Sequence, residues 1–470
     1  MDRKNVVMLA NSDTALNGFL IIARVLCQDE RFRPVILCEG DLRVKELTAR
    51  NAVDPGLVEF VQLPECRTRR IKKRSVVDKA LDAVSHIFTD WFFWQPVMIV
   101  RQVRENQRYL QHMAEYLDKY RPDCLITYTD RRNGYEQAAV RIGKKRGIPI
   151  VFPPVSHVYF QQFFNNANNG RHFDAGKRLP LIYRITRKVN KDWAAETDGE
   201  IVFFYHAHKL LADYFLKMSN LNPWMLGERR PAVNAVSYLD QYYETKDIIG
   251  KEYTQNSLVY TTNVEEGLVK SSAGRRKELR DQLRAKYHIQ RDVFLIFSAV
   301  PYYEAGVTSL EYNREVHRRI VSLLAGQDAQ ILISLHPKMK ESDYSFLAES
   351  DNVVIVDEAL RDILCCADIF VSMEKSATNQ WSELLNLKRI LLPEQWFQEK
   401  GIENIGTFFD EFEQKIEKPV PKSNEPEKID FFEILFSVLN GDGKYKNWIR
   451  QQYVTMEVDR KSYFNEEGRN

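Results

Sequence analysis

The sequence predicts an α/β protein made of two tandem domains, each with a parallel sheet covered by helices on both faces. The clearest pattern lies at residues 329–393, where apolar, β-branched runs alternate with helical segments in a β-α-β-α-β order. These runs are continuous rather than alternating, which is typical of strands buried on both faces. Residues 5–38 contain a second β-α-β unit. At 470 residues the chain is too long for a single hydrophobic core, so two domains are expected.

The composition is that of an ordinary globular protein. Hydrophobic residues make up 44% and charged residues 28%, and the formal net charge of +2 gives no overall signature of nucleic-acid binding. The six cysteines show no CxxC spacing, so we expect neither a disulfide framework nor a metal site. The chain opens without a signal-peptide pattern and has no charge-free apolar stretch of roughly 18 residues, which predicts a cytoplasmic location.

Domain boundaries follow from the order of the predicted elements. In the first half, strands are predicted at residues 5–10, 33–38, 58–63, 124–129, 148–154 and 200–205. The polar, Asn-rich stretch at residues 161–191 indicates a mobile loop near a cleft. The predicted division is an N-terminal domain of residues 1–236, a second domain of residues 237–425, and a C-terminal helix and tail of residues 426–470.

Polar residues follow the predicted strands of the second half at the points where those strands end. His336 follows the first strand, Glu358 the second, and a turn with Ser376 and Thr378 the third. The carboxyl ends of parallel strands meet at one edge of a sheet, where open α/β folds bind ligands. Ser376 and Thr378 also precede a predicted helix, so they suit either an anion or plain helix capping. Glu383, on that helix, suits either a ribose contact or a solvated position. The pattern predicts a nucleotide-type site.

The first half offers further candidate residues beside its predicted strands. Ser12 and Thr14 lie in the turn after the first strand, where they suit a phosphate contact or ordinary capping. This turn lacks both the G-x-G-x-x-G dinucleotide fingerprint and the phosphate-binding P-loop motif. Asp130 is a candidate base for a substrate hydroxyl or a cap on the next helix, and Arg131 is a candidate contact for a phosphate or another negatively charged group. His157 is a second candidate base.

A basic run is followed by aromatic residues in the first half. Residues 67–74 are rich in Arg and Lys, and residues 91–94 are Trp-Phe-Phe-Trp. This combination suits contact with an anionic membrane surface, and it also suits a solvated loop beside a helix that buries its aromatics. The first interpretation predicts peripheral contact with the inner face of the membrane. No nucleic-acid-binding module accompanies the run.

Several short motifs together resemble a known superfamily. The sequence LHP at residues 335–337, the acidic pair Asp357 and Glu358, and the Ser/Thr turn leading into LLNLKRILL are similar to the C-terminal domain of GT-B proteins. The members most similar are bacterial surface-polysaccharide glycosyltransferases, teichoic-acid-type glycerophosphotransferases and UDP-N-acetylglucosamine 2-epimerases. CLITYTDRRNGYEQAAVRIGKKRGIPIV, at residues 124–151, resembles the strand, turn and helix of those epimerases. The resemblance implies two Rossmann-like domains (GT-B) facing a central cleft.

The resemblance also implies a reaction. It suggests a glycosyltransferase that moves a sugar from a UDP-, CMP- or CDP-sugar to a glycan or lipid-linked acceptor in surface polysaccharide biosynthesis, without a cofactor. His336 would then face the donor phosphates.

Two departures from the epimerases bear on the alternatives. The epimerases have a Ser-Gly-Gly turn where this chain has Ser376-Ala377-Thr378, and a Glu where this chain has Val155-Ser156-His157. The missing carboxylate counts against epimerisation, so a sugar-nucleotide 2-epimerase is kept only as an alternative to the transferase. A catalytically silent GT-B binding protein is a second alternative.

Overall fold

A computed structural model describes most of the chain and divides it into two compact units. The described residues are 3–66, 95–128, 134–154, 171–176, 179–189, 194–197, 199–203, 206–216, 232–249, 251–398, 402–419 and 426–467. One unit comprises Met1–Val264 and Glu425–Asn470, and the other comprises Glu265–Asn424. Each contains its own parallel sheet, so the prediction of two Rossmann-like α/β units is confirmed.

The secondary structure alternates strand and helix over most of the described residues. The strands are β1 (Lys4–Ala10), β2 (Phe32–Cys38), β3 (Glu59–Gln62), β4 (Cys124–Thr127), β5 (Ile150–Phe152), β6 (Arg171–Asp174), β7 (Ala194–Thr197), β8 (Glu200–Phe203), β9 (Val233–Val236), β10 (Leu258–Tyr260), β11 (Phe294–Ser298), β12 (Gln330–Ser334), β13 (Val353–Val356), β14 (Ile369–Met373) and β15 (Lys388–Leu392). The α-helices are α1 (Asp13–Leu26), α2 (Val44–Arg50), α3 (Gln95–Tyr120), α4 (Tyr135–Lys145), α5 (Leu181–Val189), α6 (Ala207–Leu216), α7 (Leu239–Ile249), α8 (Lys251–Asn256), α9 (Glu266–Ala273), α10 (Arg276–Tyr287), α11 (Leu310–Ala325), α12 (Glu341–Tyr344), α13 (Leu360–Ile363), α14 (Asn379–Leu384), α15 (Ile405–Asp410), α16 (Phe412–Lys415), α17 (Phe431–Asn440) and α18 (Lys444–Glu467).

The first unit is built on a seven-stranded parallel sheet in the order β10-β9-β5-β4-β1-β2-β3. The continuous apolar run of β1 is buried from Val6 to Ala10 because helices cover both faces. Helix α1 starts directly after this strand, where the Ser12 hydroxyl accepts a hydrogen bond from the Ala15 amide at 3.3 Å. The direction of strand order reverses between β1 and β4, which defines the topological switch point of the sheet.

The first unit ends later in the chain than the sequence predicts. The predicted boundary lies at residues 236–237, whereas the structure continues the first sheet through β9 and β10 and starts the second unit at Glu265. Strand β9 pairs with β5, and β10 pairs with β9. Both strands are so short that their apolar runs have no recognisable period. The predicted independent tail, which contains α17 and α18, belongs to the first unit.

The side chain of Gln452, on α18, forms hydrogen bonds with the outer edge of β10. Its side-chain amide donates to the Tyr260 carbonyl at 2.8 Å and accepts from the Tyr260 N–H at 2.8 Å. Both residues are buried, so these two bonds satisfy backbone groups that water cannot reach. The C-terminal helix therefore closes the edge of the first sheet.

Replacing Gln452 with alanine is expected to lower the free energy of unfolding by about 2 kcal/mol, because the buried Tyr260 N–H loses its partner, while the Tyr260 carbonyl keeps only its bond from the Ile429 N–H at 3.2 Å. The neighbouring Gln451 is exposed on the same helix and provides a matched control. Gln451→Ala should change stability by less than about 0.5 kcal/mol. Urea unfolding of the two variants measures the difference, and equal values would show that the Gln452 amide does not support β10.

A small antiparallel sheet interrupts the first unit between β5 and β9. Its order is β6-β8-β7, and α5 and α6 pack beside it around Tyr183 and Phe203. The prediction of a loop over residues 161–191 is therefore wrong where the structure describes the stretch, since β6 and α5 lie there. Cross-strand pairing and burial of a few aromatic side chains outweigh the polar composition.

The second unit is a five-stranded parallel sheet in the order β13-β12-β11-β14-β15. The strands align in register, so that Ser298, Ser334 and Val356 end β11, β12 and β13 at one edge. The order reverses between β11 and β14, which places the switch point there. Every predicted strand of residues 329–393 is present, and β11 completes the sheet.

Candidate functional site

The carboxyl edge of the second sheet gathers four of the residues that the sequence singles out. His336 follows β12, Glu358 follows β13, and Ser376 and Thr378 follow β14. Strands β12 and β14 flank β11 on opposite sides, so the chain leaves them roughly 10 Å apart. This separation at a switch point suits a ligand of the size of a nucleotide.

Asn379 holds the turn after β14 in shape. Its side-chain amide donates to the carbonyl oxygens of Met373 and Glu374, at 3.0 and 2.9 Å, and its Oδ1 accepts from the Ser372 hydroxyl. Asn379 and Ser372 are buried, so these bonds are shielded from water. Asn379 was not among the predicted site residues, although an Asn at the start of a helix is a common local signal.

Ser376 and Thr378 are brought together by this turn. Their hydroxyl oxygens lie 2.7 Å apart, and the Thr378 N–H donates to the Ser376 hydroxyl at 3.3 Å. Both side chains are half-buried, and Thr378 makes no side-chain cap to α14. Helix α14 has six residues, so the charge near this turn comes from side chains more than from the helix dipole.

A charged cluster joins the loops that follow β11, β14 and β15. The Lys375 ammonium lies 2.7 Å from Glu394 Oε2, and the Tyr302 hydroxyl donates to Glu394 Oε1 at 2.8 Å. The hydrogen bonds from Lys375 and Tyr302 lower the pKa of the Glu394 carboxyl, so it stays ionised at neutral pH. Burial, together with the bond to Glu394, raises the pKa of Tyr302 to about 12. We name Tyr302, Lys375 and Glu394 the switch-point cluster.

The switch-point cluster was missed in the sequence. Lys375 stands inside the polar turn that contains Ser376, and Glu394 directly follows Pro393 at the end of β15. The position of each residue just after a strand was the available signal. Nothing in the sequence indicated that Tyr302, in the loop after β11, would reach across to Glu394.

His336 has a defined orientation at the end of β12. Its Nδ1 atom accepts a hydrogen bond from the Lys338 N–H at 3.2 Å, which places the proton of the neutral ring on Nε2. The side chain is half-buried. In this tautomer Nε2–H is a hydrogen-bond donor, as a contact to phosphate oxygens requires.

A buried histidine supports the loop after β11 from below. His317 is fully buried; its Nε2 atom accepts from the Val300 N–H at 3.1 Å, and its Nδ1 atom lies 2.7 Å from the Asn313 carbonyl. Burial lowers the pKa of His317 to about 4, so the ring is neutral. His317 therefore fixes the start of the loop that contains Tyr302.

Glu358 and Glu383 have local partners. Glu358 accepts from Lys286 at 2.7 Å and from the Tyr287 hydroxyl at 2.8 Å, beside an open groove of about 570 Å³ that also contacts Leu283. Glu383 accepts from Arg389 at 2.8 Å. Arg389 is the second residue of β15, so Glu383 points toward the opposite end of that strand from Glu394.

The carboxyl edge of the first sheet contains a second polar group. The Asn11 amide donates to the buried carboxylate of Glu136 at 2.8 Å. Two buried oxygens lie nearby, Asn11 Oδ1 and Thr127 Oγ1. Neither has a hydrogen-bond partner in the part of the chain that the structure describes. Ser12 caps α1, and Thr14 is exposed in its first turn. Asp130, Arg131 and His157 lie outside the described residues, as do the basic run and the aromatics at residues 91–94.

Two further observations concern metals and membranes. Within the described ranges, no three or more His, Cys, Asp or Glu side chains come together in a group that could hold a metal ion. None of the helices described combines the length and the apolar character needed to cross a bilayer.

Comparison with known proteins gives matches among solved structures. No protein-family model matches the chain, and no curated protein does. The UDP-GlcNAc 2-epimerase from Neisseria meningitidis, bound to UDP-GlcNAc, is 12% identical, with a TM-score of 0.42 over 87% of this chain and 91% of that chain. The S. aureus MnaA–UDP co-structure is 10% identical, with a TM-score of 0.42 over 94% and 97% of the two chains. The spinosyn rhamnosyltransferase SpnG is 10% identical, with a TM-score of 0.39 over 97% and 96%.

Proposed function

We propose that this chain is a glycosyltransferase that binds a nucleotide-sugar donor at the carboxyl edge of its second sheet. The observation that supports this most directly is the switch-point cluster, which lies beside the paired hydroxyls of Ser376 and Thr378. A cation, two hydroxyls and the His336 ring at one edge of a doubly wound sheet match the chemistry of a diphosphate. The absence of a dinucleotide fingerprint and of a P-loop in the sequence disfavours the other common nucleotide ligands.

Lys375 would contact the donor phosphates. Its side chain is 72% exposed, so its ion pair with Glu394 contributes little and the ammonium can turn toward a ligand. Ser376, Thr378 and His336 Nε2–H would donate to the phosphate oxygens, stabilising the nucleotide as it leaves. Glu358, in the 570 Å³ groove, would lie beside the base or ribose. Glu383 remains a candidate ribose contact only if it releases Arg389.

The acceptor would bind at the carboxyl edge of the first sheet. Buried oxygens that lack a partner, such as Asn11 Oδ1 and Thr127 Oγ1, are groups that a water molecule or the hydroxyls of a bound sugar would satisfy. Asp130 or His157 would act as the base that deprotonates the acceptor hydroxyl, and Arg131, Ser12 and Thr14 would contact a negatively charged acceptor. A glycan or lipid-linked acceptor, in surface polysaccharide biosynthesis, fits this assignment.

A panel of nucleotides tests the donor site. UDP, CDP, CMP, GDP and their common sugars are added to the purified protein, and thermal unfolding is followed. A ligand present at a hundred times its dissociation constant stabilises the folded state by about 2.7 kcal/mol. We expect one nucleotide and its sugar to raise the melting temperature clearly. No shift with any of them would overturn the proposal.

Incubation of the protein with the selected nucleotide sugar, followed by analysis of the products, distinguishes a transferase from the two alternative functions. A transferase releases nucleotide faster when a glycan or lipid-linked acceptor is added, and it leaves the sugar configuration at C2 unchanged. Appearance of the 2-epimer without an acceptor would instead identify a sugar-nucleotide 2-epimerase. Tight binding without any turnover would identify a silent binding protein.

A further inference from the structure

Helix α5, which packs against the small antiparallel sheet, exposes large apolar side chains. Leu181 is 56% and Ile185 is 43% exposed. The two residues are four apart, so they stand next to each other on one face of the helix. The opposite face is buried through Thr186 and through Tyr183, which packs on the small sheet. The apolar ridge of Leu181 and Ile185 is therefore not needed for the packing of this helix.

Three cations lie beside this ridge. Arg184, Arg187 and Lys188 are exposed on the same nine-residue helix. Arg184 and Lys188 are also four apart, so they form a row next to Leu181 and Ile185. None of the three makes an ion pair with any residue that the structure describes. Positive charge next to exposed apolar side chains is the composition of helices that lie at a membrane interface.

The neighbouring helix adds aromatic surface. Helix α6 packs against α5, and its Phe215 is 65% exposed and Tyr214 38% exposed. The two rings contact each other edge-on, with centroids 5.9 Å apart. Tyrosine is favoured at the boundary between water and lipid, where its ring and its hydroxyl are both satisfied, and phenylalanine adds apolar surface there.

We propose that the exposed face of α5, together with Tyr214 and Phe215 of α6, docks on an anionic lipid bilayer. An apolar ridge flanked by unpaired Arg and Lys matches the acyl boundary and the headgroup phosphates of such a surface. A second copy of the chain fits less well, because three cations would face three cations. The surface is separate from residues 67–94 and goes beyond the proposed transfer reaction, and its test requires no enzymatic activity.

Vesicle co-sedimentation of the purified full-length protein tests the proposal. Vesicles of phosphatidylcholine alone are compared with vesicles that also contain phosphatidylglycerol. We expect binding to the anionic vesicles that weakens as salt is added. Each cation near an anionic surface contributes about a five-fold gain in partitioning, so the variant Arg184→Ser/Arg187→Ser/Lys188→Ser should bind on the order of 100-fold more weakly.

The apolar ridge has its own variant and control. Leu181→Gln/Ile185→Gln should weaken binding at least about ten-fold, since burial of either side chain in the bilayer is lost. Leu57→Gln, at a residue 53% exposed elsewhere in the first unit, and Lys277→Ser, at an exposed lysine of α10, serve as matched controls and should bind like the unchanged protein. Circular dichroism confirms that every variant is folded.

Two results would overturn the proposal. One is equal vesicle binding by the unchanged protein and both α5 variants. The other is a dimer seen in lipid-free sedimentation velocity that Leu181→Gln/Ile185→Gln dissociates, which would assign the face to a second copy of the chain.

Discussion

Between pH 6.5 and pH 4 the protein is expected to lose about 3 kcal/mol of its free energy of unfolding through one buried histidine, His317. The pKa of His317 is lowered from 6.5 to about 4 by burial. Below pH 6.5 the unfolded chain therefore binds a proton at this residue that the folded chain does not bind. The free energy of unfolding consequently decreases as the pH is lowered. The slope approaches 1.4 kcal/mol for each pH unit, and the loss levels off below the folded pKa.

The His317→Leu variant isolates this effect from other titrating groups. At pH 8 the variant should be about 2 kcal/mol less stable than the unchanged protein, because the Val300 N–H and the Asn313 carbonyl lose their partner. At pH 4 the order should be reversed, with the variant about 1 kcal/mol more stable, since the unchanged protein has by then lost about 3 kcal/mol through a buried ring that prefers to be protonated. Denaturant unfolding of both proteins at several pH values measures the crossing.

His288 provides the control for this experiment. It is exposed at the end of α10 with a φ of 55°, a left-handed conformation that asparagine tolerates well. His288→Asn should leave the dependence of stability on pH unchanged. If His317→Leu and the unchanged protein lose stability in parallel between pH 8 and pH 4, the buried histidine is not the group responsible.

The fold was predictable because long buried strands have a strong signal in the sequence. The runs at β1, β12 and β14 are β-branched and continuous, and sheet formation in both units follows from them. The boundary was not predictable, because β9 and β10 are held by pairing with strands distant in sequence and by Gln452 of the C-terminal helix. Such partners lie far apart along the chain, and local periodicity does not report them.

The candidate site was predictable in position but not in composition. The sequence places His336, Ser376 and Thr378 after strands, and topology alone brings those strand ends to one edge. It does not reveal that Asn379 shapes the turn or that Tyr302 and Lys375 meet at Glu394, because these contacts depend on loop conformation. Glu383 was predicted as a site residue and lies on the predicted helix, but its carboxylate is paired with Arg389.

Replacing Lys375 with methionine is expected to weaken binding of the preferred nucleoside diphosphate about 30-fold. A charge-assisted hydrogen bond to phosphate contributes about 2 kcal/mol, and methionine keeps the length of the side chain without its charge. The Glu394→Gln variant should act in the opposite direction. It removes the carboxylate that competes for Lys375 at 2.7 Å while an amide can still accept from the Tyr302 hydroxyl, so affinity should rise a few-fold. Isothermal titration calorimetry measures both dissociation constants.

Lys388 is the matched control for charge. It is an exposed lysine at the first residue of β15, at the opposite edge of the same sheet from Glu394. Lys388→Met removes the same charge from the same unit and should leave the dissociation constant unchanged. An equal loss of nucleotide affinity in the Lys375 and Lys388 variants would mean that binding depends only on the net charge of the unit. Three results would together place the phosphates at the switch point: weaker binding in Lys375→Met, tighter binding in Glu394→Gln and no change in Lys388→Met. Removal of the two opposite charges of the cluster has opposite effects only on a ligand that binds beside it.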